Sequence, residues 1–374
     1  MSHDIARAEL ALCAATGRRF AVLTGNGTAG LALALRALGT ASWPVVLPDA
    51  VCINVPLALH LAGAVPRWGE IDARHLGLDA DAAGPLLPGA GAVVAVHGHG
   101  NTTDLSGLQR QADAAGCALV EDACLAFGGQ AGDRPVGAWG VVSVLSFGAG
   151  KPLSLDHGGA LLTDDATLAR DIRALDAALP ACTAAAQQRI DALGRHHTRL
   201  YNAHFDGQGG PALAAQVPAF RALAQAEATA CLHRFDPAQA PGLLAALPTL
   251  PAQVAARRDR LATLHTLLQP LLGDGLQWLA PTPGSVPWRA NLLVGPADDQ
   301  ADRHALMRAL HAAGLHASSW HPAASDFLAD VPAGHPVARR IGRQILNLWV
   351  DADCTPAYRA AVQRTVADHR HALA

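Results

Sequence analysis

The side chains with the clearest chemical potential sit where short apolar runs stop. Ala118-Leu119-Val120 runs into Glu121-Asp122-Ala123, and Val142 to Leu145 runs into Ser146-Phe147-Gly148-Ala149-Gly150-Lys151. Upstream, Phe20 to Leu23 leads into Gly25-Asn26-Gly27-Thr28-Ala29-Gly30. A lysine amine condenses with an aldehyde, and a carboxylate keeps a ring nitrogen protonated so that the ring accepts electrons. A glycine turn that opens a helix lets backbone N–H groups and the helix dipole hold a phosphate. An amine, a carboxylate and a phosphate cradle at strand ends are together what pyridoxal 5'-phosphate (PLP) needs. Taken singly, Lys151 reads as a surface lysine and Asp122 as a cap. Placed together at strand ends, they read as a site.

The glycine segment also fits a second chemistry. It matches G-x-G-x-x-G, and Asp49 lies about 20 residues on, at another strand end, as a dinucleotide-binding fingerprint requires. A tight turn without a ligand is the plainer reading of the same letters. His97-Gly98-His99 lacks a third ligand of clear spacing, so it reads as a strand-end turn with one histidine near a cofactor, and no metal is expected. His196-His197 and Arg257-Arg258-Asp259-Arg260 read as solvated helix faces. Arg289, beside Trp288, suits a bidentate carboxylate, from an amino donor or an acidic acceptor, or else a surface ion pair. No G-x-S-x-G, H-E-x-x-H or G-x-x-x-x-G-K-[ST] is present.

These groups need a scaffold, and the sequence supplies one. Strand-like runs Phe20–Leu23, Val45–Leu47, Ala92–Val96, Ala118–Val120, Val141–Ser146 and Gly159–Thr163 alternate with helical patterns at Thr28–Leu38, Asn54–Ala62 and Leu105–Ala115, which stop at Gly39, Gly63 and Gly116. That alternation predicts βαβ units and a mainly parallel sheet, with ligands beyond the carboxyl ends of its strands. From Asp165 to Ala230 the pattern is helical and alanine-rich. A proline-rich apolar stretch, Pro237 to Pro251, leads to a helix over Ala252–Leu268. Strands at Trp288–Val294 and Gln344–Val350 and helices at Asp302–Ala313 and Pro356–His369 predict a smaller α/β domain. At 374 residues, about two domains are expected, residues 1–235 and 236–374.

Composition narrows the function classes. Hydrophobic residues make up 51% and charged residues 16%, which excludes a disordered chain, and a net charge of −3 offers no basic surface for nucleic acid. No apolar run is long enough to span a membrane. The seven cysteines form no C-x-x-C pair, and Asp4 and Glu9 stand where a signal peptide would be basic and then apolar. The expectation is a cytoplasmic protein with reduced thiols.

From about residue 8 to the C-terminus the sequence resembles the DegT/StrS family of sugar aminotransferases, PLP-dependent enzymes of fold type I. "TGNGTAGLALALRALG" resembles the family's phosphate-binding segment and "VLPDAVCINVPLALHLAGAVPRWGEID" its next strand, helix and strand. "VAVHGHGNTTDLSGLQRQADAAGCALVEDACLAFGG" resembles the stretch that carries the ring-nitrogen aspartate, and "VGAWGVVSVLSFGAGKPLSLDHGGALLTDD" the lysine segment. "RFDPAQA" and "ARRDRLA" resemble the later helix pair. The resemblance implies that Lys151 forms the Schiff base and shuttles protons, that Asp122 pairs with the ring nitrogen, and that Gly27, Thr28 and Ser146 hold the phosphate. It places Cys52 where the family has an aromatic on the ring, and Leu125 where it has Gln or His near the ring hydroxyl. Leu232 and Gly148 replace an Asn and a Tyr or His. Arg234 is implied to reach a neighbouring subunit's site, since family members are homodimers with shared active sites. Trp320-His321-Pro322 stands in for part of a late histidine pattern. Arg234, Arg289 and His321 are the expected substrate contacts. The family pattern also carries a strand and a helix ahead of the point where this sequence starts.

The expected activity is transfer of an amino group from glutamate or glutamine to a keto sugar or related cyclic ketone, in amino-sugar or secondary-metabolite biosynthesis. The alternatives are a PLP-dependent dehydratase or lyase, an NAD(P)-dependent oxidoreductase using Gly25–Gly30 and Asp49, and a cofactor-poor binding or regulatory partner.

Overall fold

The computed structural model describes residues 3–205, 218, 221–296, 299–326 and 334–369, the side chains of 200–205 excepted. Seven strands form the main sheet: β1 (Phe20–Thr24), β2 (Pro44–Pro48), β3 (Val65–Gly69), β4 (Ala92–Val96), β5 (Ala118–Asp122), β8 (Val142–Ser146) and β9 (Gly159–Thr163). Between β5 and β8 lies a short ribbon, β6 (Gln130–Ala131) and β7 (Arg134–Pro135). The main order is β1-β9-β8-β5-β4-β2-β3, and only β9 runs against its neighbours. The expected mainly parallel α/β architecture is the observed one.

Both faces of the sheet are covered, which explains why its strands read as continuous apolar runs. Alternate residues point to opposite sides. Ala21, Leu23, Val46, Val93, Leu119 and Leu162 join a core with helices His3–Thr16 and Leu105–Ala115. Val22, Leu47, Val94, Val120 and Leu161 join one with helices Gly27–Ala37, Asn54–Ala62 and Ala166–Ala177. Gly63 and Gly116 end their helices in the left-handed conformation (φ 72° and 64°), where side chains are disfavoured.

A second, antiparallel sheet has the order β10-β11-β13-β12, with β10 (Leu276–Leu279), β11 (Arg289–Val294), β12 (Ala317–Ser318) and β13 (Ile345–Trp349). Helix Leu250–Leu268 belongs to both halves. Leu250 and Val254 pack in the first core, and Leu261, Leu264 and Leu268 in the second. Part of the expected 165–230 helical stretch lies outside the described residues; helices Ala166–Ala177 and Ala184–Phe205 lie within them.

The topology corrects the dinucleotide reading. A dinucleotide fingerprint joins adjacent parallel strands. Here β1 lies at an edge, and β9, β8, β5 and β4 separate it from β2, the strand that leads to Asp49. Asp49 is also fully buried and engaged: Ser325 donates to it through N–H (2.9 Å) and Oγ (2.6 Å), and His335 Nδ1 lies at 3.1 Å. Its carboxylate fastens the second half of the chain to the first and has no face left for a ribose.

Candidate active site

Strand register sets out the site. Asp122 ends β5 and Ser146 ends β8. Gly159 pairs with Ser146 on one side and Thr24 on the other, so the turn after β1 meets the end of β8 at one rim of the sheet. Asn26 opens helix Gly27–Ala37, its Oδ1 accepting from Ala29 N–H at 2.8 Å. Its Nδ2 donates to the Cys231 carbonyl at 2.9 Å and lies 3.2 Å from His233 Nε2. Gly27 faces Ser146 so closely that an added Cβ would lie 2.9 Å from Ser146 Cβ and 3.3 Å from both Ser146 Oγ and Cys124 Sγ. Thr28 is half-buried in the first turn. A glycine cradle, a hydroxyl and a helix N-terminus thus converge where the phosphate site was expected.

Asp122 is nearly buried, and its Oδ1 accepts from Cys124 N–H at 3.0 Å. Next to it, Glu121 is fully buried and accepts from His97 Nε2 (3.0 Å), Gly137 N–H (2.9 Å), Trp139 N–H (3.0 Å) and Ser143 Oγ (2.6 Å). Burial raises the Glu121 pKa, but these donors outweigh it and hold the carboxyl below its ordinary value. Thr103 N–H donates to His97 Nδ1 (3.1 Å), which puts the imidazole proton on Nε2, facing Glu121. This network sets the end of β5, from which Asp122 projects.

Lys151 is half-buried, and among the described residues no hydrogen bond or ion pair holds its ammonium. Its charge reaches Cys52, Cys124 and His321. Burial pushes both thiols up, with Lys151 pulling the other way, so they stay protonated. The residues present fit PLP: an unengaged amine, a carboxylate at the neighbouring strand end and an anion cradle that a methyl group would fill.

The second sheet supplies the opposite wall. Arg289 opens β11, and its Nη2 lies 3.9 Å from where a Cβ on Gly150 would be. It is buried between Trp288 (4.6 Å) and Trp349 (4.0 Å), and Nη1 pairs with Asp351 at 2.9 Å. Burial lowers its pKa to about 10, Asp351 opposing, so it stays charged at neutral pH. Trp288 stacks on His321 (6.2 Å, 6°), and His99 lies 5.5 Å from His321. Leu125 is buried with its carbonyl against the Gly100 turn. Arg234 lies apart from this cluster. It is exposed and lines a cavity of about 290 Å³ with Glu9, Arg173 and Asp176.

Sequence reasoning gave no role to Trp288, Cys124 or the Glu121–His97 network. The His97-Gly98-His99 segment was the available signal. Among the described residues no group of His, Cys, Asp and Glu is arranged to hold a metal.

Comparison with known proteins follows the same lines. The sequence profile of the DegT/DnrJ/EryC1/StrS aminotransferase family matches residues 2–367. An L-glutamine:2-deoxy-scyllo-inosose aminotransferase of Streptomyces kanamyceticus is 36% identical over 158 residues, 42% of this chain and 37% of that protein. The match therefore spans little more than a third of that curated relative. DesV of S. venezuelae, solved in complex with a ketimine intermediate, superposes with a TM-score of 0.77 at 23% identity, over 99% of this chain and 90% of its own. DesI, solved in the presence of its TDP-sugar product, gives 0.73 at 25% identity, over 100% and 85%.

Proposed function

Because the chain belongs to the DegT/DnrJ/EryC1/StrS aminotransferase family, we propose that it is a PLP-dependent aminotransferase that moves an amino group from glutamate or glutamine to a keto sugar or related cyclic ketone. The observation that carries the reading is the convergence of Lys151, Asp122, Ser146 and Gly27 on one rim of the sheet, with the lysine amine unengaged. When bound, PLP supplies an aldehyde carbon for amines and a ring that accepts electrons. Ser146 Oγ and the first-turn amides of Gly27 and Thr28 bind the phosphate. Asp122 holds the proton on the ring nitrogen. Lys151 Nζ would anchor the cofactor and would carry the proton taken from the donor Cα. Arg289 orients the donor carboxylate, and His321 contacts the acceptor. Cys52 and Leu125 border the ring.

A homodimer with shared sites is part of the proposal. Arg234 is exposed, as a residue serving a neighbour would be. All seven cysteines are free, which supports a reducing, cytoplasmic setting. No helix of the described residues is long and apolar enough to cross a membrane.

The test is a visible spectrum. Added PLP should give a protein-bound absorption band that glutamate or glutamine converts to that of the aminated cofactor, and Lys151→Ala should lose both. Absence of the band would overturn the reading. A band that neither donor changes would favour the dehydratase or lyase alternative.

A further inference from the structure

The cavity beside Arg234 holds two opposite charges that the chain leaves unpaired. It lies between helix His3–Thr16, the end of helix Ala166–Ala177 and the loop that runs from Arg234 to Pro237. Among the described residues five charged side chains line it, and three of them are satisfied within the chain. Glu9 is buried and accepts from Leu23 N–H (3.1 Å) and from both Arg173 Nη atoms (3.1 and 2.9 Å), so this acid and this base cancel. Asp236 caps the next turn, its Oδ1 accepting from Ala238 N–H at 3.0 Å.

Asp176 and Arg234 remain. One Asp176 oxygen is enclosed without a hydrogen-bond partner, and no described residue holds the Arg234 guanidinium. The Arg234 backbone is fixed beside the helix that carries Asp176: its N–H donates to the Pro180 carbonyl at 2.9 Å, just past the helix end. The two charges act on one another, Arg234 being the strongest influence opposing the burial that raises the Asp176 pKa, yet no hydrogen bond joins them. Elsewhere the wall is apolar, with Ile5, Phe235 and Pro237. At about 290 Å³ the space is at the small end of ligand pockets, which suits a molecule of amino-acid size. An enclosed carboxylate oxygen without a partner works against the fold, and such costs gather where a group serves binding rather than stability.

We propose that this cavity is a second ligand site, lined by none of Lys151, Asp122, Ser146 and Gly27, that takes a zwitterionic α-amino acid with an apolar side chain. Asp176 receives the ammonium, Arg234 the carboxylate, and Ile5, Phe235 and Pro237 the side chain. The residual acid and the residual base sum to no net charge, so a simple anion or a simple cation would satisfy one and strand the other. The guanidinium fork matches a carboxylate. A carboxylate takes two of its five donors and leaves the others for a neighbouring subunit. A second carboxylate on the ligand, as in glutamate, would meet Glu9 and Asp236 with no base left to receive it. The inference does not depend on the aminotransferase reading.

The test is calorimetric titration of the full chain, with and without PLP, using L-leucine, isocaproate (leucine without its amine) and isoamylamine (leucine without its carboxylate). Leucine should bind at least about tenfold more tightly than either analogue, because each analogue forfeits one charge-assisted pair. Asp176→Asn, which should fold more stably than the wild type, should weaken leucine about tenfold without weakening isocaproate. Arg234→Gln should weaken leucine as much without weakening isoamylamine. Those paired losses in folded variants support the site. A wild type that does not bind leucine, or that binds the analogues equally well, overturns it. So does a leucine affinity that survives both substitutions, as it would if leucine occupied the amino-donor site instead.

Discussion

Glu121→Gln tests how the scaffold sets the site. The Glu121 carboxylate accepts from His97 and Gly137 on Oε1 and from Trp139 and Ser143 on Oε2, at 2.6–3.0 Å and in full burial. A glutamine keeps one acceptor oxygen and turns an NH2 toward two donors. Two charge-assisted bonds are lost at about 1.5–3 kcal/mol each, so the expected cost is about 3–6 kcal/mol. The assay is urea unfolding followed by tryptophan fluorescence. The pH dependence has a definite sign. The folded pKa of Glu121 lies below the unfolded one, so its contribution is present above the unfolded value and drains away as pH falls through the folded one. Glu121→Gln has no such group to titrate, so its deficit should be largest near neutrality and narrow as pH falls below the ordinary carboxyl range. PLP affinity should fall too, because His97 N–H donates to the Asp122 carbonyl (3.3 Å) and the network fixes that strand end. A loss below about 1 kcal/mol at neutral pH, or a deficit that widens on acidification, would refute the reasoning.

Three other perturbations report on separate parts. Gly27→Ala puts a methyl 2.9 Å from Ser146 Cβ, too close for either to stay in place, so PLP affinity by absorbance titration should weaken about tenfold or more and stability should fall by about 1–3 kcal/mol; equal affinity would remove Gly27 from the cradle. Asn26→Ala removes an N-cap and should cost about 1 kcal/mol in urea unfolding, together with PLP affinity. Asp176→Asn should stabilise. Burial raises the Asp176 pKa from 3.8 to about 6, with one oxygen enclosed and unpaired, so its carboxylate destabilises the fold increasingly as pH rises through that window. The full shift corresponds to about 3 kcal/mol, and discounting for partial exposure and the nearby arginines leaves about 1–2 kcal/mol near neutrality and none at about pH 3.5. A variant no more stable than wild type at neutral pH would contradict that sign.

Much of the fold is legible from the chain. Buried strands such as Ala92–Val96 are unbroken apolar runs, and Asn54–Ala62 and Leu105–Ala115 end at the glycines that mark them. Elements fixed by distant contacts are not. β3 is a half-exposed edge strand holding Pro66 and Arg67, so its apolar signal is weak. Helix Pro336–Gln344 takes its start from Glu70, which accepts from Val337 and Ala338 N–H. The wall that carries Trp288 and Arg289 is illegible for the same reason. Val286 N–H donates to the Gly100 carbonyl and Trp288 N–H to the His99 carbonyl, joining two loops far apart in sequence, and only that pairing sets Trp288 over the histidines.

The glycine segment shows where local pattern stops deciding. Gly25 to Gly30 obeys the physics of an anion-binding helix start whichever cofactor is present, because the letters specify a turn, a close backbone approach and free amides. What separates the two chemistries lies beyond the segment. In a dinucleotide fold the next strand would lie alongside and bring its carboxylate to a ribose. In this chain the edge position of β1 carries Asp49 away, and Ser325 and His335 consume it. The strands that do end near Gly27 contribute Ser146, and with it Cys124 beside Asp122. Sheet order therefore selects which side chains meet the anion cradle, and here it brings Ser146 against Gly27, with Cys124 and Asp122 alongside.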